Sequence, residues 1–162
     1  MIKKILLFLL AALVIIQFFH PEKNIQEGVA ANDISTKYPV PAEVKSILDK
    51  ACMDCHSNNT AYPWYNNIQP VAWWLDNHIR DGKKELNFSA YTDKRLRFQY
   101  HKMEEVIEQV KKGEMPLNSY TWIHKDAVLT GEEKDLLINW ANTVLDSLKQ
   151  QYPMDSLARK KN

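Results

Sequence analysis

Apolar positions along this chain recur at helical spacing, broken by short polar or Pro/Gly-marked stretches. Val44, Ile47, Leu48 and Ala51 fall on one face behind Pro41, a residue suited to a helix's first turn, and predict a helix running into Cys52. Val71, Trp74, Leu75, His78 and Ile79 form a second stripe, with Gly82 as its stop. A third helix is predicted over about 92–112, with Leu96, Met103, Val106, Ile107 and Val110 inward and Gly113 ending it. Thr130-Gly131-Glu132-Glu133 is a capping box opening a last helix, whose buried stripe is Leu136, Leu137, Trp140, Val144 and Leu145, reaching toward Leu148. Period-two alternation is lacking. The pattern therefore predicts an all-α fold, a small helical bundle.

The first twenty residues follow another rule. Lys3 and Lys4 precede an apolar run from Ile5 to Ile16, and Gln17 is the one polar interruption before Phe18 and Phe19. As a helix, 2–19 would reach roughly 27 Å, close to the roughly 30 Å hydrocarbon layer, so an N-terminal transmembrane helix is expected. A cleaved signal segment is the alternative, with Val29-Ala30-Ala31 as a small-residue cut site separated from the apolar core by His20 to Gly28. Positive charge ahead of the run keeps the N-terminus cytoplasmic. Either way the remainder is expected outside the cytoplasm, on the periplasmic face of the inner membrane or released into the periplasm. Residues 21–40 read as a polar linker ending in Tyr38-Pro39-Val40-Pro41, residues 41–150 as one domain, and 151–162 as a tail with a solvated basic end, Arg159-Lys160-Lys161. With 21 basic against 20 acidic side chains, no electrostatic case for nucleic acid exists.

The candidate chemistry sits at Cys52-Met53-Asp54-Cys55-His56, which holds both cysteines of the chain. C-x-x-C-H is the attachment pattern of c-type haem. Two thiols one helical turn apart can add across two vinyl groups, and the next residue then lies under the iron. Cys52 and Cys55 are thus candidate thioether residues and His56 the candidate axial ligand, with Met53 and Asp54 as spacers. A thioredoxin-type dithiol would need a βαβ setting that is not visible. A structural zinc site would need four ligands at closer spacing than the scattered histidines offer.

For a sixth ligand, Met115 in Gly113-Glu114-Met115-Pro116 offers a soft neutral thioether in a turn stiffened by proline. Met103 lies on a core face. His124, further along the same loop, and His78, on the second stripe, compete with Met115, and bis-histidine ligation would lower the potential. Tyr62, Trp64, Tyr65, Trp73 and Trp74 are expected to wall the haem pocket. Arg80, Lys83 and Lys84 are candidates to pair with haem propionates. Asn58-Asn59-Thr60 matches a glycosylation pattern and is assigned no role.

Cys-x-x-Cys-His-Ser-Asn, Tyr62-Pro63-Trp64-Tyr65, Pro70-Val71-Ala72-Trp73-Trp74 and Gly113-Glu114-Met115-Pro116 together resemble the haem-binding domain family of small bacterial c-type cytochromes, over roughly 40–145. The resemblance implies one covalent haem c, a mono-haem cytochrome fold and His56 as one iron ligand. Two functions follow as expectations. One is a membrane-tethered electron carrier, not an enzyme, serving a redox partner protein. The other is a gas or redox sensor, or a peroxidase-like protein, with an open distal site.

Overall fold

Thr130 opens the longest helix. Its hydroxyl accepts the Glu133 backbone N–H while the Glu133 carboxylate accepts the Thr130 N–H, the reciprocal cap expected of this tetrad. In the computed structural model, which describes residues 1–158, this helix is the seventh of eight. They are α1 (Ile2–Ile16), α2 (Ala42–Ala51), α3 (Met53–His56), α4 (Val71–Glu85), α5 (Leu96–Lys112), α6 (Asn118–Ile123), α7 (Gly131–Gln151) and α8 (Met154–Leu157). No strand occurs among the described residues, which hold only an isolated bridge between Asn32 and Ala90. The all-α expectation holds.

The core lies between α2, α5 and α7. Val44, Ile47, Leu48 and Ala51 of α2 meet Met103 and Val110 of α5 and Leu137, Trp140, Val144, Leu145 and Leu148 of α7, all of them buried. Gly113 ends α5 with φ +71°, a left-handed cap that glycine adopts without a Cβ clash. The Lys50 ammonium and the Thr130 N–H hold the Glu133 carboxyl below its ordinary 4.5. A depressed folded-state pKa adds stability above the unfolded value, and that stability is lost as pH falls through the folded value. Wild-type unfolding free energy should therefore drop on acidification below about pH 4.5, and Glu133→Gln should flatten part of the drop. Thr130→Ala should cost about 1 kcal/mol in urea unfolding at neutral pH.

Several expectations need correction. The predicted 2–19 span stops at Ile16, giving 15 helical residues, and among the described residues no helix is long and apolar enough to cross a membrane. The chain leaves the helix at Gln17, whose amide pairs with the backbone of Gln69 in both directions instead of continuing the apolar run. Gly82 does not stop α4 but lies inside it, three residues before its end. The third helix begins at Leu96 rather than near 92. Residues 21–40 are not a free linker. Ile34 and Tyr38 are buried in the core, the Tyr38 hydroxyl donates to Gln99 Oε1 at 3.1 Å, and the Trp140 indole N–H donates to the Pro39 carbonyl at 3.0 Å. The C-terminal segment is likewise more than a tail, since α8 buries Leu157 against α5. Arg159, Lys160 and Lys161 lie outside the described residues.

Candidate functional site

The attachment motif forms its own turn. α2 ends at Ala51, and Cys52, with φ −131°, swings the backbone so that residues 53–56 make the separate helix α3. The motif thus follows the first domain helix across a sharp bend instead of extending it. Gly82 lets α4 lie directly on this turn. A Cβ at position 82 would stand 2.6 Å from the Cys55 carbonyl oxygen and 3.0 Å from the Cys55 Cβ. The glycine is required by close approach, not by chain termination.

α3 forms one wall of a cavity of about 580 Å³, within the roughly 300–1,000 Å³ typical of ligand pockets. Its lining is mostly apolar and includes Leu48, Leu86, Phe88, Val106, Val110 and Leu137. Cys52, Cys55 and His56 face it from one side, and Met115, Pro116 and Leu117 from the loop after α5. Residues far apart in the chain are therefore brought to one chamber. His78 also lines it, although its Nδ1–H donates to the Trp74 carbonyl of its own helix at 2.9 Å.

His56 is prepared as a donor to a metal. Its Nδ1 lies 2.9 Å from the Leu86 carbonyl, which can only accept, so Nδ1 carries the proton and the Nε2 lone pair is free. Burial holds the imidazole pKa below 6.5, outweighing the opposing pull of the nearby Leu86 and Gly82 carbonyls, and so favours the neutral ring. Burial also pushes the Cys52 thiol up to about 12, with the neighbouring Cys55 adding to it. Cys55 rises to about 11 through burial and then the Asp54 charge. An attacking redox dithiol needs the opposite shift. Among the described residues no group of three or more His, Cys, Asp or Glu side chains could hold a metal ion, which leaves a zinc reading without a ligand set. The mostly apolar chamber and an imidazole with a free Nε2 on its wall fit a haem.

Other expected roles are rearranged. His124 does not line this cavity. Its Nε2 lies 2.7 Å from the Tyr65 hydroxyl, and its ring stacks on Tyr120 at 4.3 Å and 12°. The expected aromatic wall is displaced too. Tyr62, Tyr65 and Trp74 line a smaller neighbouring cavity across Asp54 and Cys55, while Trp64 is 76% exposed. Aromatic rings cluster in this sequence, but Tyr62, Trp64, Tyr65, Trp73 and Trp74 do not line the larger chamber. Arg80 is engaged by Asp76 and Asn77, and Lys83 by Asn24; neither lines the main cavity.

The cation on the cavity wall is Lys102, which sequence reasoning missed. Its side chain is 11% exposed and bonds Glu105 at 2.6 Å and Glu85 at 3.0 Å. Burial opposes its charge, but the two carboxylates prevail and hold its pKa above the usual lysine value. The i,i+3 pairing with Glu105 beside the apolar stripe was the available signal. Asp54, expected to be a spacer, also has work: Oδ1 accepts the Ala61 N–H at 2.9 Å, Oδ2 accepts the Tyr120 hydroxyl at 2.7 Å, and its carbonyl accepts the Thr60 hydroxyl at 2.7 Å.

A family model described as a haem-binding domain matches residues 11–143. No curated protein and no solved structure matches this chain.

Proposed function

The chain belongs to the haem-binding domain family, and on that premise we propose that it is a mono-haem c-type cytochrome carrying single electrons outside the cytoplasm. One observation carries the reading: a single apolar cavity gathers Cys52, Cys55, His56 and Met115 from two separate parts of the chain. Cys52 and Cys55 would hold the haem through thioethers, His56 Nε2 would ligate its iron, and Met115 Sδ would supply the sixth ligand. The haem supplies reversible one-electron chemistry when bound. The protein's contribution is a mostly apolar lining, a fixed histidine tautomer and a soft thioether that favours a raised potential. A carrier of this kind exchanges electrons with a partner protein and catalyses no reaction of its own.

Location enters the proposal through α1. Leu6, Leu7 and Phe8 are each at least 60% exposed, so the helix offers apolar surface that the domain does not cover. Its 15 residues suit the roughly 7–15-residue apolar core of an export signal better than a full span. Export places the cysteines where haem c is attached. Cell fractionation should find the haem-stained polypeptide outside the cytoplasm; a cytoplasmic pool carrying all of it would overturn this part.

The spectrum tests the ligand set. Ferric protein should show the weak red charge-transfer band of methionine-bound haem. Met115→Ala should abolish it, lower the potential and open the iron to carbon monoxide, whereas His124→Ala and His78→Ala should leave it in place. A second reading, a haem sensor or peroxidase-like protein with an open distal site, draws support from His78 on the wall of the same cavity. Ready carbon monoxide binding by wild type, together with a silent Met115→Ala, would select it.

A further inference from the structure

The segment 115–124 is lightly built. It comprises the Met115 loop, α6 and His124, and α6 buries none of its residues. Among the described residues, the backbone of α6 lies close only to the 3-10 turn at 125–127 that follows it, and Tyr120 is the side chain of α6 that packs against the core. Its side-chain hydrogen bonds to the rest of the described protein come from two residues. Tyr120 donates to Asp54 Oδ2 at 2.7 Å, with a longer approach of 3.5 Å to the Lys50 carbonyl, and His124 meets Tyr65 at 2.7 Å. Tyr120 and His124 are stacked, so the two attachments brace each other. Asp54 belongs to the attachment motif, and Tyr120 follows Met115 by five residues. Both Asp54 and Tyr120 line the main cavity.

We propose that the Tyr120–Asp54 hydrogen bond is a clasp that joins the attachment turn to the Met115 loop and holds Met115 over the cavity. Tyr120 is then a positioning residue for the sixth ligand, acting through the loop and not through contact with the iron. The inference rests on the His/Met reading above. Pro116 and Leu117 stiffen and cover the loop, but neither has a side-chain donor to fix it across the cavity. A phenol-to-carboxylate bond has a charged acceptor and is among the stronger neutral-donor bonds. The second carboxylate oxygen, held by the Ala61 N–H, keeps Oδ2 aimed at Tyr120.

The test compares variants of the haem-loaded, full-length protein. Tyr120→Phe removes only the hydroxyl and keeps the ring that stacks on His124. Its ferrous form should bind carbon monoxide about tenfold faster than wild type, or more, the order expected from losing one hydrogen bond to a charged acceptor. Its ferric methionine band should weaken. Asp54→Ala should act alike, and Tyr120→Phe placed on Asp54→Ala should add nothing, the non-additivity of partners in one bond. Trp122→Ala, on the same helix and 76% exposed, should leave the rate unchanged. Wild-type band and rate retained in Tyr120→Phe would overturn the clasp while leaving His/Met ligation intact. Full additivity of the two substitutions would also overturn it. A wild type without the methionine band would remove the ligation reading, and the clasp with it.

Discussion

Cys52→Ala combined with Cys55→Ala is expected to give a polypeptide with no covalently held haem and a domain far less stable than wild type. The wild-type chain, denatured and resolved by mass, should keep the haem's mass, and the double variant should lack it. The stability loss follows from what surrounds the cavity. Leu48, Leu86, Phe88, Val110 and Leu137 are buried residues that also line a chamber of about 580 Å³. Without the group that fills it, their inner surfaces have nothing to pack against. A ligand specific to the folded state at a thousand times its Kd contributes about 4 kcal/mol, and a covalent group held beside its site should exceed that. Thermal unfolding by circular dichroism should therefore show a much lower midpoint for the double variant, or no cooperative transition. Haem extracted intact from wild type by acidified organic solvent would sink the attachment reading.

Gly82→Ala is expected to destabilise the protein, against the ordinary trend in helices. Alanine is worth about 1 kcal/mol over glycine inside an exposed helix. Here the added methyl would stand 2.6 Å from the Cys55 carbonyl oxygen, a backbone atom that no rotamer change can move aside. Overpacking of this kind costs about 1–3 kcal/mol, so repulsion wins. Because the clash falls on Cys55 itself, the yield of haem per chain should fall with stability, and Gly82→Val should be worse on both measures. Equal or higher stability for Gly82→Ala, with full haem content, would show that α4 can move off the attachment turn freely.

What the sequence made legible was local. The Thr130–Glu133 cap, the left-handed Gly113 and the inward stripes of α2, α5 and α7 are each dictated by neighbours within about a turn of helix. Cys52, Cys55 and His56 stood out because C-x-x-C-H is a contiguous pattern that needs no distant partner to be read. What stayed hidden depends on partners far along the chain. Gly82 looked like a stop because nothing in its own helix shows that Cys55 will press on it. Asp54 looked like a spacer because Tyr120, its partner, lies 66 residues away. Tyr38 looked like linker because a buried tyrosine needs Gln99, 61 residues on, to satisfy its hydroxyl. The exclusion of His124 from the main chamber could not be read either, since the sequence reading put Met115 and His124 in one loop where α6 in fact separates them.

The stitched N-terminal stretch changes what this molecule can reach. Twenty residues of free, extended chain would span roughly 70 Å and let the domain swing widely in search of a partner. Here Gln17 and Phe19 are bonded to Gln69, Asn24 holds Ser57 and Thr60 beside the attachment turn, and Gln26 meets Asn58. That slack is absent here, because the chain from Gln17 to Gln26 is bonded along the domain. On the proposed carrier reading, a partner would then meet a domain held close to the end of α1, not one ranging on a long leash.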